Sequence, residues 1–138
     1  MNPPVTLEEL RTIPLFEGVS EAGLERIAAS AGEVESQPGQ VLALEGDPGS
    51  GMFVILDGTV GVEWRGGAVE LGPGDFFGEL TLLAPGGTRV ARVRAASRVS
   101  CLGIPREDAL ALIESEPSLA LTMLKEIARR FASAVPNS

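Results

Sequence analysis

The middle of this chain is a succession of short apolar runs separated by turn residues, and this pattern restricts the fold more than any other feature. It extends from Glu33 to about Ile104, and Met52 to Leu56 is apolar throughout. Asp57-Gly58 and Gly66-Gly67 are typical hairpin signals between such runs. Seven or eight short strands at this spacing predict a mainly β fold, an antiparallel β-roll or jelly-roll barrel.

Helical periodicity flanks these strands on both sides. Thr6 and Ser20 have the residue type and the position of helix N-caps. Helical periodicity returns after the strands, and Pro117 is placed as the first residue of the last helix. Arg129 and Arg130 are expected on its solvated face. We expect its apolar stripe to face the core, and the stripe consists of Leu121, Leu124, Ile127, Ala128 and Phe131.

These segments predict a single domain over residues 1–138. The N-terminal helices occupy residues 1–32, the β-roll residues 33–104, and two C-terminal helices residues 105–134. A chain of 138 residues is long enough to bury a core of its own.

The composition excludes several functional classes. The formal net charge is −8, which argues against nonspecific binding to nucleic acid or to anionic membranes. The chain has no histidine, which removes histidine-based acid–base catalysis and the commonest metal ligand. Because no nucleophile–base set is visible either, we do not expect an enzyme.

The chain also lacks the sequence signals of export and of membrane insertion. No run reaches the length of about 18 apolar residues that a membrane span requires, and the N-terminus has no signal-peptide pattern. Cys101 is the single cysteine, so no internal disulfide is possible, and we expect it to be a packed strand residue. Together these features predict a cytoplasmic protein.

One arginine is predicted to point into the β-roll. Side chains alternate faces along a strand, and the small apolar residues at alternate positions of 89–95, among them Ala91, indicate the inward face. Arg89 shares that face, whereas Arg92 and Arg94 lie on the outer face. An inward charge requires an anion. This anion is either a carboxylate of the same chain, such as Glu79, or a bound phosphate, and the spacing leaves both possibilities open.

Gly78-Glu79 precedes Arg89 at what is predicted to be the N-terminus of a very short helix. The first N–H groups of a helix lack partners and attract anions, and a glycine lets an anion approach closely. Glu79 would accept hydrogen bonds from ligand hydroxyls, or it would only offset the helix dipole.

Together, Phe77-Gly78-Glu79-Leu80 and the later Arg89-x-Ala91 resemble the phosphate-binding cassette of the cyclic nucleotide-binding domain family. The resemblance extends from about Leu10 to Phe131 and includes Gly72-Pro73-Gly74-Asp75 before the cassette. It places the cassette at residues 77–91. The implied ligand-binding residues are Gly78, Glu79, Leu80, Thr81, Arg89, Val90 and Ala91.

The resemblance implies a role for most of these residues. Glu79 would accept a hydrogen bond from the ribose 2′-hydroxyl, and Arg89 would pair with the cyclic phosphate. Backbone N–H groups of Leu80, and of Val90 or Ala91, would donate to phosphate oxygens. Gly78 would permit the close approach of the ligand, and Thr81 completes the set.

The implied ligand is cAMP or cGMP, with no cofactor. In similar domains a hydroxyl residue in the place of Val90 favours guanine, so cAMP is expected here. Arg92 replaces a small or polar residue and would alter base recognition if it folded over the pocket mouth. The last helix would act as a lid over the base. It would relay ligand occupancy to a protein partner, or it would form a homodimer.

Two other interpretations remain open. The chain would be a ligand-free interaction module if Arg89 were tied to a carboxylate of its own. It would be the sensor fragment of a longer transcription regulator, similar to bacterial cAMP receptor-type regulators, if the natural chain continued past Ser138. The sequence as given contains no basic DNA-binding domain, so direct nucleic-acid binding is not expected.

Overall fold

The computed structural model describes residues 5–43, 51–64, 66–78 and 91–134. The helices within them are α1 (Leu7–Arg11), a 3₁₀ turn (Pro14–Phe16), α2 (Glu21–Ser30), α3 (Arg106–Ser115) and α4 (Pro117–Ala134). The strands are β1 (Gly32–Ser36), β2 (Val41–Ala43), β3 (Gly51–Asp57), β4 (Val60–Trp64), β5 (Gly67–Leu71), β6 (Phe76–Phe77), β7 (Arg92–Ala95) and β8 (Val99–Pro105). The predicted mainly β class with flanking helices is confirmed.

Both predicted N-caps are confirmed. The Thr6 hydroxyl accepts a hydrogen bond from the backbone N–H of Glu9 at 3.1 Å. The Ser20 hydroxyl accepts one from the backbone N–H of Gly23 at 3.1 Å. Each hydroxyl satisfies a backbone donor that the first turn of its helix leaves without an intrahelical partner.

The described strands form two antiparallel four-stranded sheets. The first has the strand order β1-β8-β3-β6, and the second has the order β2-β7-β4-β5. In the first sheet, Met52 pairs with Ile104. In the second, Val62 of β4 lies opposite Val93 of β7. The two sheets face each other as a β-roll.

The turn at Asp57-Gly58 is not a hairpin, and this prediction is wrong. Strand β3 ends at Asp57 in the first sheet, whereas β4 starts at Val60 in the second. Both edges of β3 are already occupied, by β8 and by β6. The chain therefore crosses between the sheets here, and the Thr59 N–H donates to the Ser97 hydroxyl at 3.0 Å.

Strand β3 of the first sheet is buried on both faces, which explains why the run from Met52 to Leu56 is apolar throughout. One face packs on the helices, and the cluster there includes Leu10, Phe16, Leu24, Ile27, Met52, Val54, Phe76, Leu102, Ile104, Leu112, Leu119 and Met123. The other face packs on the second sheet, in a cluster of Ile55, Val60, Leu71, Phe77, Val93, Ala95, Val99 and Cys101. Cys101 is fully buried, as predicted.

The buried face of α4 differs from the predicted stripe. Leu119 and Met123 are 2% exposed, and Ile127 is partly buried against the same cluster. These residues recur at every fourth position and so share one face of the helix. The rest of the predicted stripe lies outside this face and is exposed, namely Leu121 (51%), Leu124 (63%), Phe131 (68%) and Ala128. The prediction that the whole stripe belongs to the core is wrong.

Candidate functional site

The structure describes the two ends of the predicted cassette. Phe77 and Gly78 form its entrance, and Ala91 forms its exit. The other predicted ligand-binding residues lie outside the described residues, and their roles stay predictions; they are Glu79, Leu80, Thr81, Arg89 and Val90.

The entrance is fixed by two consecutive phenylalanines with opposite orientations. Phe77 lies opposite Phe53 in the β3–β6 register and is 3% exposed. The two rings stack with centroids 5.0 Å apart and an interplanar angle of 16°. Phe77 belongs to the cluster between the sheets, whereas Phe76 belongs to the cluster under the helices. The strand that leads into the cassette is therefore held from both sides.

Gly78 has a backbone φ of +90°. L residues with a Cβ are strained in this region, and glycine is not. The chain thus leaves β6 through a backbone conformation that favours glycine, at the position where the resemblance requires a close approach of the ligand. The glycine's conformation accounts for the residue type independently of any ligand.

The exit end supports the parity argument made from the sequence. Val93 is 4% exposed and Ala95 is 1% exposed, and both pack between the sheets. Arg94 is exposed and Ala91 is half-buried. The inward face of β7 is therefore the predicted one. The strand begins at Arg92 and Ala91 lies before it, so the inward position of Arg89 stays a prediction.

Arg92 lies on the outer face and is bound to the neighbouring strand. Its Nη2 donates to Oε2 of Glu63 at 2.8 Å, and the two residues are opposite each other in the β4–β7 register. The hydrogen bond from Arg92 lowers the pKa of Glu63 below its ordinary value. The outer position that strand parity predicts for Arg92 is confirmed, and its conditional effect on base recognition stays a prediction.

Apolar side chains line the roll interior in the described part of the chain, together with the buried polar side chain of Ser36, which lies opposite Val99 in the β1–β8 register. Leu42, Phe53 and Val62 are partly buried there and pack against the inner cluster. None of these side chains can serve as an acid, a base or a nucleophile. This interior can enclose the apolar faces of a ligand, and the cassette is expected to supply most of the polar recognition.

Arg130 of α4 lies close to the entrance, and the sequence analysis missed this. Its Cζ is 4.5 Å from the centroid of the Phe76 ring. The side chain of Arg130 is 18% exposed, whereas that of Arg129 is 63% exposed. The predicted solvated position is confirmed for Arg129 and wrong for Arg130. The signal was the spacing, because Arg130 follows Met123 by seven residues and shares its face of the helix.

Glu126 binds both arginines and lies one turn before them. Its Oε1 accepts from Nε of Arg130 at 3.1 Å, and its Oε2 accepts from Nε of Arg129 at 3.0 Å. Both hydrogen bonds lower the pKa of Glu126 below its ordinary value, and the bond from Arg129 has the larger effect. The bond to Glu126 also raises the pKa of Arg129.

Fold and site together define a ligand-binding β-roll module with flanking helices. Residues 33–116 match the family described as Cyclic nucleotide-binding domain, and the chain belongs to this family. The family is one of sensors and regulators rather than enzymes. The resemblance noted in the sequence is thereby confirmed.

Three relatives illustrate the range of proteins that carry this domain. A cyclic nucleotide-gated potassium channel of Rhizobium etli is 36% identical over 86% of this chain and 33% of its own length. A CRP-like cAMP-activated global transcriptional regulator of Mycobacterium tuberculosis is 27% identical over 89% of this chain and 57% of its own. The Catabolite Activator Protein of Thermus thermophilus superposes with a TM-score of 0.71 at 30% identity, over 88% of this chain and 59% of that chain.

The chain thus spans between a third and three fifths of the length of these relatives. Among the described helices, none combines the length and the apolar character needed to cross a bilayer.

Proposed function

We propose that this chain is a cAMP sensor module that holds the nucleotide inside its β-roll and relays occupancy through its C-terminal helices. The observation that carries the proposal is the inward face of β7, where Val93 and Ala95 are buried between the sheets. If the same alternation extended back through residues 89–91, Arg89 would point toward the interior, where a charge requires an anion.

The cyclic phosphate would be held from two sides. Arg89 would supply the charge, and the N–H groups at the start of the segment after Gly78 would supply further donors. Glu79 would accept from the ribose 2′-hydroxyl. Phe53 and Val62, partly buried at the edge of the inner cluster, give the roll an apolar interior for the rest of the ligand.

We infer cAMP rather than cGMP from two observations. Val90 offers no hydroxyl where a hydroxyl would favour guanine. One relative is named as cAMP-activated.

Relay to a partner would proceed through α4. Its exposed apolar residues Leu121, Leu124 and Phe131 offer a contact surface, either for a protein partner or for α4 of a second copy. We propose a cytoplasmic location, since the single cysteine is a buried free thiol, as is usual where thiols are kept reduced.

Calorimetric titration with cAMP tests the phosphate role when two arginine variants are compared. Arg89→Ala removes the proposed phosphate partner, and we expect affinity to fall by about 100-fold or more, because a buried charge partner is lost. Arg94→Ala is the matched control, since Arg94 is close in sequence and its side chain is exposed on the outer face.

We expect Arg94→Ala to change the affinity by less than about threefold. Equal affinities of the Arg89→Ala variant and the wild type would show that Arg89 does not bind the phosphate. Circular dichroism of both variants checks that they remain folded.

A further inference from the structure

The last helix carries a charged residue on its buried face. Leu119, Met123 and Ile127 follow one another at four-residue intervals on this face, and Arg130 comes three residues after Ile127. Only 18% of the Arg130 side chain is exposed. The packing pattern of α4 would place an apolar residue here, so a specific partner has to compensate for the loss of hydration.

Arg130 has two such partners among the described residues. Its Nε donates to Oε1 of Glu126 at 3.1 Å, and the Glu126 side chain is itself 23% exposed. Its Cζ lies 4.5 Å from the centroid of the Phe76 ring. A guanidinium over an aromatic face is attracted by the ring quadrupole, and the attraction grows as water is excluded. The geometry thus favours Arg130 in this position over a freely solvated one.

Phe76 is the residue through which α4 contacts the approach to the cassette. It starts the two-residue strand β6, and its ring belongs to the cluster on the helix side. Phe77 follows it into the roll interior and stacks on Phe53, and Gly78 turns the chain immediately afterwards. Because Phe76 and Phe77 are adjacent, a shift of the cassette entrance changes the position of the ring under Arg130.

The other attachments of α4 lie nearer its beginning. Leu119 and Met123 are buried, and the helix packs against the 3₁₀ turn and against α3. Beyond Met123, the described residues that face the protein are Glu126, Ile127 and Arg130. Within the described part of the chain, the distal half of the helix therefore has fewer buried apolar side chains, and Arg130 is the half-buried side chain nearest its end.

We propose that Arg130 is a latch, a positioning residue that docks the distal half of α4 on Phe76 and so couples the position of this helix to the state of the cassette. The ligand side of this coupling rests on the proposed cAMP function. Coupling of this kind is reciprocal. If ligand binding favours the docked helix, loss of docking lowers ligand affinity, and if ligand binding disfavours docking, loss of docking raises the affinity.

Hydrogen exchange of the backbone amides in residues 124–134 tests the latch without ligand. Arg130→Met keeps a long apolar side chain but removes the guanidinium, and we expect exchange in this segment to rise by about fivefold or more. Arg129→Met is the matched control, because Arg129 also binds Glu126 but is exposed. It should change exchange by less than about twofold.

Arg130→Lys keeps the charge but lacks the planar group, so its exchange rate in residues 124–134 should lie between those of the two methionine variants. Equal exchange in the Arg130→Met and Arg129→Met variants would overturn the proposal. Amides of β8 serve as the internal reference for global folding.

A second variant tests whether the aromatic ring of Phe76 is the partner of Arg130, as distinct from a general loss of structure. Phe76→Leu keeps an apolar side chain and removes the ring, so it should raise exchange in 124–134 as well. If the latch acts through the ring, the double variant with Phe76→Leu and Arg130→Met should exchange little faster than either single variant, because both substitutions remove the same interaction. Additive effects of the two substitutions would contradict the proposed contact.

Saturating cAMP then tests the coupling. In the wild type it should change exchange in residues 124–134 by about threefold or more, and in Arg130→Met by much less. The same ligand-induced change in both proteins would overturn the coupling. A wild type that shows no calorimetric binding of cAMP would remove the proposed function and the coupling together, while the ligand-free comparison still decides the docking role of Arg130.

Discussion

Replacement of Gly58 by alanine tests the crossing of the chain between the two sheets. Gly58 has φ +86°, and a Cβ added there would overlap the carbonyl oxygen of Arg98 and lie 2.8 Å from Cα of Val99. Two separate costs follow: the strain of a positive φ, and the contact with a backbone that is fixed in the neighbouring turn.

Gly39 separates these costs because it has the same conformation without the contact. Its φ is +85°, and an added Cβ would meet nothing within 4 Å. The positive φ costs an alanine about 1–2 kcal/mol, and the less flexible unfolded chain recovers roughly 0.4–1 kcal/mol. We therefore expect Gly39→Ala to lower the free energy of unfolding by about 1 kcal/mol.

Gly58→Ala carries the same strain and, in addition, about 1–3 kcal/mol for the steric conflict. We expect it to lower the free energy of unfolding by about 2–4 kcal/mol in total. Urea unfolding followed by the fluorescence of Trp64, the single tryptophan, measures both variants. With a slope of about 1–3 kcal/mol per molar urea, the two midpoints should differ clearly. Equal losses of stability would refute the account of this turn.

Three further predictions concern single side chains. Burial raises the pKa of Cys101 to about 11, so its thiol should stay unmodified by a thiol reagent at neutral pH until urea unfolds the protein; rapid labelling of the folded protein would contradict its burial. The pKa of Glu116 is lowered chiefly by the backbone N–H of Ser20 and also by its hydroxyl, so this stabilisation is present above the ordinary pKa and is lost as the pH falls through the lowered one. The melting-temperature difference between wild type and Glu116→Gln should therefore shrink as the pH falls below about 5, and a constant difference would argue against hydrogen bonds to the ionised carboxylate. Leu124→Glu should change the free energy of unfolding by less than about 0.5 kcal/mol, because Leu124 is 63% exposed. It should abolish any self-association seen by sedimentation equilibrium, and unchanged association would exclude this face of α4 from a homodimer.

The sequence predicted the elements of the fold better than their partners. Met52 to Leu56 is a strand, but its apolar character on both faces does not tell which strands lie beside it. Asp57-Gly58 supplies the local geometry of a tight turn, and the same geometry serves a hairpin and a crossing between sheets. The choice depended on the edges of β3, which β8 and β6 already occupy.

The last helix illustrates a second limit. Its apolar residues form more than one stripe, and counting them favoured the stripe that contains Leu121 and Leu124. The buried face instead includes Glu126 and Arg130, which are polar and so did not count toward an apolar pattern. Their burial depends on each other and on Phe76, a residue far away in the sequence.

Part of the candidate site was accessible from the sequence because strand parity is a local property. The inward orientation of Val93 and Ala95 is confirmed, and the outer position of Arg92 could be predicted in the same way. The partner of Arg92 could not, because Glu63 lies on another strand and the pairing depends on the register. The roles of Glu79 and Arg89 stay predictions.

Calorimetric titration of the wild-type chain with cAMP, with cGMP as the comparison, tests the central claim most directly. The proposed inward position of Arg89 and the missing hydroxyl at Val90 predict saturable binding of cAMP with one site per chain, and weaker binding of cGMP. Absence of binding heat for both nucleotides at about millimolar concentration would contradict the claim. The chain would then keep the family's fold as an interaction module without a cyclic nucleotide.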